Sequence, residues 1–368
     1  MNILYYFKDY DNYMSQWQYI HIFDELERNG HHIFVYNPLA YETPEKSNQN
    51  LIPYIKSSKI KFDLFMNCEG DGFLFSSTVK AVHDLGLATL LICFDNLHAP
   101  HLHEKMAPLF DFVWLTSLET KWIFEKWGCK NIIFQTYAAN PYLFTPNWKA
   151  PKHSVCFIGS PYGSRINILN TLTKSEISCD VYTDALTNLN KGKKNKIPNI
   201  KITPLEEVRR ALSFDIGRKV LYSALLNKYF LKNKSILDSN VFLTIHPSVS
   251  FEEMQEIYSN NTLSLNITLL RNTYLLKTPI HKIHLRTFEI PMCGGLEIAP
   301  FSVELASYFE DGKEIVLYNS DEEYVSKAKF YLDTKNDDLC LQMKKNARKR
   351  AENEHTWMNR FNKVFQNI

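Results

Sequence analysis

The sequence of 368 residues lacks the features by which secreted and membrane-spanning chains are usually identified. Its seven cysteines are widely spaced and never form a C-x-x-C pair, so we expect neither a disulfide framework nor a cysteine zinc site. The longest apolar run, at 88–94, is far shorter than the roughly 20 residues that a membrane helix requires. The first residues include acids and have no uninterrupted apolar stretch, unlike a signal peptide. The sequence therefore predicts a cytoplasmic protein that does not span a membrane.

An excess of charge of one sign is also missing over the chain as a whole. Lys and Arg number 42 against 40 Asp and Glu, a net charge of +2, which excludes a protein coated with basic residues for duplex nucleic acid. Residues 191–235, however, contain twelve Lys and Arg and only three acids. This basic segment carries +9 and leaves −7 for the remainder of the chain. Arguments about charged partners therefore have to start from this segment.

What the sequence does contain is an alternation of short apolar runs and amphipathic stretches. The helical stretches 17–29 and 118–127 each end at a glycine, Gly30 and Gly128, as is typical of a helix C-cap. Strands that are apolar throughout and alternate with helices predict parallel sheets covered on both faces. The predicted strands are 2–7, 32–36, 63–68, 89–94, 112–116 and 132–137 in a first series, and 154–159, 178–182, 199–202, 241–246, 263–267, 295–299 and 314–318 in a second.

An aperiodic segment with three prolines, residues 138–153, separates the two series. We interpret it as the linker between two doubly wound, Rossmann-like domains, 1–145 and 146–354, that face each other across a cleft. The C-terminal helix, 355–368, is expected to join the first domain. In open α/β sheets, ligands bind at the carboxyl ends of the strands. The candidate functional residues are therefore those at the strand ends.

The most informative stretch is 281–300, where an apparent helix runs into Gly294 and Gly295 and then into a strand. One face of this helix would present His281, Arg286 and Glu289. Arginine offers a planar fork for phosphate oxygens, and a carboxylate accepts hydrogen bonds from a ribose diol. The alternative is an ordinary amphipathic helix with a glycine stop and an Arg–Glu surface pair.

A second strand end, the loop GSPYGSR at 159–165, also leads into a helix. Backbone N–H groups at a helix start attract phosphate, and Arg165 would reinforce them beside the open loop at Gly159. The loop is neither a Walker loop nor a G-x-G-x-x-G motif. His246, at the end of the strand over 241–246, is a further donor-loop candidate. A histidine hydrogen-bonded within the fold is the alternative there.

The run LRTFEIPMCGGLEIAPFSVELASYFEDGKEIVLYNSDEEYVSKAKFYL at 285–332, with EHTWMNRF after it, closely resembles the C-terminal half of the CgeB-like family. This family takes its name from a spore-maturation protein and is assigned to the GT-B glycosyltransferases. YAANPYLFTP at 137–146 resembles its inter-domain turn, and FIGSPYGSRINILNTL at 157–172 resembles the start of its second domain. The matches extend over about the last two thirds of the chain, with a gap around 190–240.

The resemblance implies a GT-B fold, with a nucleotide-sugar donor held by the C-terminal domain and an acceptor held mainly by the N-terminal domain. In the wider GT-B group, two glutamates with seven residues between them contact the donor, and the second binds ribose. Glu289 falls on the second position. The first position is occupied by His281, which leaves the contact to the sugar open. The resemblance thus places the diphosphate of the donor in this domain, where Arg286 and Arg165 would contact its phosphate oxygens.

The N-terminal domain is expected to supply the catalytic base, because inverting transfer needs a group that removes the acceptor hydroxyl proton. Acidic residues follow three strands. Asp95 is our first choice, since Asp95–Asn96 looks like the counterpart of an acidic pair in the family, and Asp71 and Glu69 come next. His98 and Asp9 are further candidates, and retaining transfer would need no such base.

Two groups of residues have a spacing similar to that of metal ligands. His98, His101 and His103 are spaced like ligands, but no second cluster accompanies them, so surface histidines on a loop are the simpler interpretation. Glu69-Gly70-Asp71 is similar to the acidic triplet of GT-A enzymes, whereas the two-domain pattern favours GT-B. We therefore predict no cofactor and no required metal.

The basic segment mixes cations with Leu, Val, Phe and Tyr at roughly helical spacing, as in helices that lie on anionic membranes or receive a phosphate-bearing acceptor. An ordinary solvated hairpin is the alternative. The sequence thus predicts a metal-independent glycosyltransferase of cell-surface polysaccharide synthesis. It would use a nucleotide sugar and a glycan or lipid-linked acceptor, and it would not bind nucleic acid. If the segment 191–235 binds lipid, the enzyme would lie at the inner face of the membrane. The alternatives are a non-catalytic carbohydrate- or nucleotide-binding protein of an envelope or spore coat, and a GT-B-like epimerase or hydrolase.

Overall fold

The computed structural model describes residues 1–10, 13–184, 204–229 and 237–368, and the chain divides into two compact units. Unit 1 comprises Met1–Asn140 and Thr356–Ile368, and unit 2 comprises Pro141–His355. Each unit contains a six-stranded sheet in which all neighbouring strands run parallel. The predicted fold class, with two doubly wound α/β sheets, is therefore confirmed. The predicted strand at 199–202 lies outside the described residues.

The elements alternate along the chain as strand and helix. The strands are β1 (Asn2–Tyr6), β2 (His32–Tyr36), β3 (Leu64–Asn67), β4 (Ala88–Cys93), β5 (Phe112–Leu115), β6 (Asn131–Phe134), β7 (Lys152–Ile158), β8 (Cys179–Tyr182), β9 (Leu243–His246), β10 (Asn261–Leu265), β11 (Glu297–Pro300) and β12 (Val316–Tyr318). The α-helices are α1 (Tyr13–Gln18), α2 (Asp24–Arg28), α3 (Pro44–Ser57), α4 (Ser76–His83), α5 (Lys121–Trp127), α6 (Ser164–Lys174), α7 (Pro204–Leu212), α8 (Asp215–Tyr229), α9 (Phe251–Asn260), α10 (Arg286–Met292), α11 (Val303–Tyr308), α12 (Asp321–Leu332), α13 (Asp337–Glu354) and α14 (Trp357–Phe365).

The sheet of unit 1 has the strand order β2-β1-β3-β4-β5-β6. Its inner strands are apolar throughout because helices cover both faces of a parallel sheet, and the residues of β3 and β5 are almost entirely buried. A π-helical turn, Tyr19–Phe23, joins α1 to α2, so the predicted helix at 17–29 is interrupted. The strand order reverses at β1, which places the ends of β1 and β3 at a topological switch point.

The C-terminal helix α14 belongs to unit 1. Its Trp357 side chain is fully buried, with ring centroids 6.2 Å from Trp17 and 6.3 Å from Trp114. The Glu25 carboxylate accepts hydrogen bonds from the backbone N–H groups of Trp357 at 3.1 Å and Met358 at 2.7 Å. The helix therefore completes the core of the unit formed by the first 140 residues.

The sheet of unit 2 has the order β12-β11-β10-β7-β8-β9, and it reverses between β7 and β10. Arg348 on α13 is buried and donates to the carbonyl oxygens of Met292, Phe144 and Pro141. These bonds hold the C-terminal end of α10 against residues 141–144, with which unit 2 begins. No helix in the described part of the chain is long and apolar enough to cross a bilayer.

Candidate functional site

The loop after β7 is shaped by two glycines. Gly159 has φ +143° and donates its N–H to the Tyr182 carbonyl at 3.0 Å, while Gly163 has φ +56° and precedes α6. A Cβ atom at Gly159 would lie 2.4 Å from Nη2 of Arg286. Glycine at 159 therefore lets the guanidinium of Arg286 lie against the loop, because any side chain there would displace it.

Two arginines from different helices meet at this loop. The guanidinium carbons of Arg165 and Arg286 lie 5.9 Å and 5.8 Å from the centroid of the Phe157 ring. Arg165 is buried, donates from Nη1 to the Ser160 carbonyl at 3.0 Å, and lies 4.4 Å from the Tyr162 ring. The structure thus brings together the predicted donor residues Gly159, Arg165 and Arg286.

The two guanidinium groups raise the local positive potential. Burial and then the neighbouring charge of Arg286 lower the pKa of Arg165 to about 10. In the parts of the chain that the structure describes, no salt bridge to a carboxylate compensates either arginine. Two neighbouring guanidinium groups are an arrangement that an incoming anion stabilises. A diphosphate, with oxygens for both forks, is an anion of the charge that this pair can bind.

Glu289 lies on α10, one turn beyond Arg286. Its side chain is buried and its backbone N–H donates to the Leu285 carbonyl at 2.9 Å. Because Arg286 begins the helix, the two residues project from its first turns. The role of Glu289 in holding ribose stays a prediction.

The expectation that His281 shares this helix is wrong. Hydrogen bonds from Leu270 N–H to the Ile280 carbonyl (2.8 Å) and from Lys282 N–H to the Thr268 carbonyl (2.7 Å) hold the preceding segment extended, so α10 begins only at Arg286. His281 Nδ1 lies 2.8 Å from Thr268 Oγ1, and burial lowers the pKa of the imidazole. His281 is therefore a neutral side chain tied to a turn, and its donor role stays a prediction.

Gly294 and Gly295 shape the turn after α10. Gly294 has φ +72°, and a Cβ atom there would lie 2.5 Å from Cβ of Pro146. The Gly295 N–H donates to the Ile290 carbonyl at 2.8 Å and closes the helix. Both glycines thus have packing roles that suffice to explain them.

His246 at the end of β9 is engaged within the fold. Its Nε2 lies 3.0 Å from Asp180 Oδ1, and its ring stacks on Tyr182 at 4.5 Å. Lys152 and Ser154 also bond the same carboxylate, at 2.7 Å and 2.9 Å. These contacts match the alternative of a histidine bonded within the sheet.

A buried polar cluster behind α10 was missed in the sequence. Asn266 donates to Thr287 Oγ1 at 3.0 Å and to Glu297 Oε1 at 2.8 Å, so one amide links β10, α10 and β11. Burial raises the pKa of Glu297 to about 8, and Arg286 opposes this shift. Glu297 Oε2 and the Tyr258 hydroxyl are buried without a hydrogen-bond partner. The signal in the sequence is a glutamate within the otherwise apolar strand LEIAP.

The candidate bases of unit 1 differ in their surroundings. Glu69 is buried, forms a salt bridge with Lys8 at 2.7 Å and accepts the Lys8 N–H at 3.0 Å. Asp71 accepts the backbone N–H groups of Lys105 and Met106 at 3.0 Å and 3.1 Å. Both carboxylates thus hold loops in place.

Asp95, in contrast, has an exposed side chain just after β4. The next residue, Asn96, is fully buried. Its side-chain amide donates hydrogen bonds to the Ser117 carbonyl and to Thr120 Oγ1 and accepts one from the Thr116 N–H, so the backbone of this loop is fixed. The backbone that carries Asp95 is therefore held in a fixed position, while its carboxylate is accessible to solvent.

The three histidines that follow, His98, His101 and His103, lie in the loop after β4. Among the described residues, no group of three or more His, Cys, Asp or Glu side chains is placed to hold a metal ion. Burial lowers the pKa of His103 to about 4, while Asp95 opposes this shift. His103 is therefore a neutral, buried side chain. Asp9, the remaining acidic candidate, accepts a hydrogen bond from the Tyr19 hydroxyl at 2.7 Å.

The basic segment is described only in part. Helices α7 and α8 carry Arg209, Arg210, Arg218, Lys219 and Lys228. The other cations lie outside the described residues: Lys191, Lys193, Lys194, Lys196, Lys201, Lys232 and Lys234.

Comparison with known proteins agrees with this architecture. Residues 237–366, about a third of the chain, match the family model described as glycosyl transferase-like (Glyco_trans_1_2), and this range includes Arg286 and Glu289. No curated protein sequence matches the chain.

Solved structures match the whole chain in fold. HepE of Anabaena in complex with UDP-glucose is 12% identical, with a TM-score of 0.55 over 100% of both chains. A glycosyltransferase from Rickettsia africae is 12% identical, with a TM-score of 0.56 over 99% of this chain and 97% of the other. Sucrose-phosphate synthase from Thermosynechococcus elongatus is 11% identical, with a TM-score of 0.52 over 100% and 98%.

At 11–12% identity, the structural likeness establishes the fold alone. The family match relates residues 237–366 to glycosyl transferase-like proteins. The predictions of a GT-B fold and of a glycosyltransferase are confirmed at this level. The chain has the GT-B glycosyltransferase fold, and its residues 237–366 match the glycosyl transferase-like family model.

Proposed function

We propose that this glycosyltransferase moves a sugar from a nucleoside diphosphate to a hydroxyl group of a glycan or lipid-linked glycan, with Arg165 and Arg286 binding the diphosphate. The observation that carries the proposal is the pair of guanidinium groups beside Phe157, set against a loop in which Gly159 leaves room for one of them. The bond between sugar and diphosphate breaks with negative charge accumulating on the phosphate oxygens. Fixed cations at that place stabilise the transition state more than the ground state.

Glu289 is proposed to accept hydrogen bonds from the ribose hydroxyls. Its place on the same helix as Arg286 supports this assignment, because ribose and diphosphate are adjacent in a nucleotide. The polar cluster of Asn266, Thr287 and Glu297 fixes that helix to the sheet. We propose that His281, His246, Gly294 and Gly295 act on the donor only through the shape of the surrounding turns.

Asp95 is proposed as the base that takes the acceptor proton if the transfer is inverting. Its exposure supports this order, because the Glu69 side chain is buried and that of Asp71 is half-buried. We also propose that no metal is required, since two arginines supply the positive charge. Full turnover in EDTA would be the expected result, and loss of activity restored by Mg²⁺ would contradict it.

We propose membership of the CgeB-like group on the run at 285–332, and a cytoplasmic location on the unpaired cysteine pattern of the sequence.

The test is calorimetric titration with UDP, GDP, dTDP and CMP, followed by turnover assays with the corresponding sugar donors. Arg286→Ala is expected to weaken the preferred nucleotide about tenfold or more, because it removes charge-assisted hydrogen bonds. Arg209→Ala, an exposed arginine on α7, is the matched control and should bind as the wild type does. Unchanged affinity in Arg286→Ala would contradict the diphosphate assignment. Nucleotide binding without release of nucleoside diphosphate would instead favour a non-catalytic binding protein.

A further inference from the structure

The hairpin formed by α7 and α8 leaves two apolar stripes in solvent. On each helix the stripe has the spacing i, i+3, i+7, which places its three members on one face. All six side chains are between 42% and 80% exposed, the lowest being Val208 and the highest Leu205. The stripes are Leu205, Val208 and Leu212 on α7, and Tyr222, Leu225 and Tyr229 on α8.

Exposed cations accompany the stripes at helical spacing. Arg209 follows Leu205 by four residues, and Arg218 precedes Tyr222 by four, so each lies beside the stripe of its own helix. Lys219 and Lys228 are exposed as well. The segment 191–235 to which the hairpin belongs has a net charge of +9 in the sequence, whereas the remainder of the chain has −7.

The opposite side of the hairpin accounts for its own packing. Phe214 is buried between the helices, and α8 contacts the 3₁₀ turn Thr273–Leu275. A Cβ atom at Gly217 would lie 2.1 Å from the Ala211 carbonyl oxygen, so the two helices approach closely there. The stripes are therefore not needed to hold the hairpin together, and their exposure calls for a partner.

We infer that this hairpin docks on an anionic lipid surface. Leucine, valine and tyrosine side chains flanked by arginine and lysine have the composition of helices that lie in a membrane interface, where the apolar atoms enter the headgroup boundary and the cations meet lipid phosphates. The separation of charge orients the protein, because the negative remainder is repelled by the same surface. This inference does not rest on the proposed transferase activity.

The test is co-sedimentation of the full chain with two vesicle preparations, one of phosphatidylcholine alone and one of equal parts phosphatidylcholine and phosphatidylglycerol. Wild type is expected to bind the anionic vesicles and to lose most of this binding in high salt. The double variant Arg209→Glu/Arg218→Glu should reduce the partition coefficient about tenfold or more. Leu212→Ser/Leu225→Ser should reduce it without changing the net charge, which separates apolar insertion from attraction alone.

The matched control is Val303→Ser/Lys313→Glu, which alters an exposed apolar residue and an exposed cation elsewhere in unit 2. It should bind vesicles as wild type does, and nucleotide affinity should be the same in every variant. Failure of wild type to bind anionic vesicles, or full binding by either hairpin variant, would overturn the inference. A wild-type dimer that the Leu212→Ser/Leu225→Ser change dissociates would also overturn it, since the stripes would then cover a second copy of the chain.

Discussion

At the scale of single residues, Gly159 controls where the guanidinium of Arg286 can lie. Its positive φ and the 2.4 Å approach to Arg286 Nη2 are independent requirements for glycine. The first concerns the backbone, which a side chain would strain by about 1–3 kcal/mol. The close approach affects only the position of Arg286, because a new Cβ atom would meet the end of this flexible side chain, which can move away.

Gly159→Ala is therefore expected to displace Arg286 and to weaken nucleotide binding about tenfold, since a charge-assisted contact is lost. Isothermal titration with UDP measures this effect. Gly86→Ala is the control, because Gly86 also has positive φ (+73°) but has no atom within 4 Å of the new Cβ. Both variants should lose similar unfolding free energy, and equal nucleotide affinity in both would refute the steric argument.

Glu297 predicts a pH dependence of stability. Burial raises its pKa from 4.5 to about 8 in the folded chain, so between these values the folded state binds more protons than the unfolded state. The free energy of unfolding therefore falls as the pH rises through this window, by on the order of a few kcal/mol.

Glu297→Gln keeps an oxygen for Asn266 and removes the titration. The decrease in thermal midpoint between pH 5 and pH 8, followed by circular dichroism, is expected to be smaller in this variant, as its side chain is neutral throughout. It should not vanish, because burial also raises the pKa of Glu25 to about 7. An identical decrease in wild type and Glu297→Gln would show that Glu297 is already ionised at low pH.

At the scale of elements, α14 is a remote segment of sequence that completes the first unit. Trp357 on this helix is fully buried. Its ring centroid lies 6.2 Å from that of Trp17 and 6.3 Å from those of Phe94 and Trp114. Removal of such a side chain leaves a cavity that the surrounding aromatic rings cannot fill completely.

Trp357→Ala is expected to lower the unfolding free energy of unit 1 by about 3–5 kcal/mol. Differential scanning calorimetry measures this loss as an earlier transition. The control is Trp122→Ala, since Trp122 is 49% exposed and its removal should cost far less. Equal losses in the two variants would mean that α14 does not pack into the core of unit 1.

At the scale of the whole molecule, the proposed donor residues all belong to unit 2, whereas the proposed base belongs to unit 1. Saturating UDP is expected to slow amide hydrogen exchange around 157–165 and 286–292 and to leave the strands of unit 1 unchanged, because a ligand stabilises the state that binds it. Arg286→Ala should abolish the slowing. Equal protection of unit 1 by UDP would contradict the assignment of the donor site.

Much of the fold could be predicted from the sequence. Parallel strands buried on both faces are largely apolar, so runs such as those of β4 and β5 stand out from their surroundings. The glycines after amphipathic stretches mark helix ends for the same local reason, the left-handed backbone at Gly128 being one example. The prediction that His281 shares a helix with Arg286 was wrong, because hydrogen bonds to Thr268 and Leu270 hold the residues before Arg286 extended. A local pattern does not contain these bonds.

The sequence by itself determined the class of sheet, the order of strand and helix and the strand ends at which chemistry was to be expected, because each depends on local periodicity. Only the tertiary structure decided which of those side chains meet. It placed Arg165 beside Arg286, tied His246 to Asp180, and put Glu297 behind α10. It also left apolar stripes on α7 and α8 in solvent beside the exposed Arg209 and Arg218. Contacts between residues far apart in the chain leave no periodic pattern, so a single sequence does not contain them in readable form.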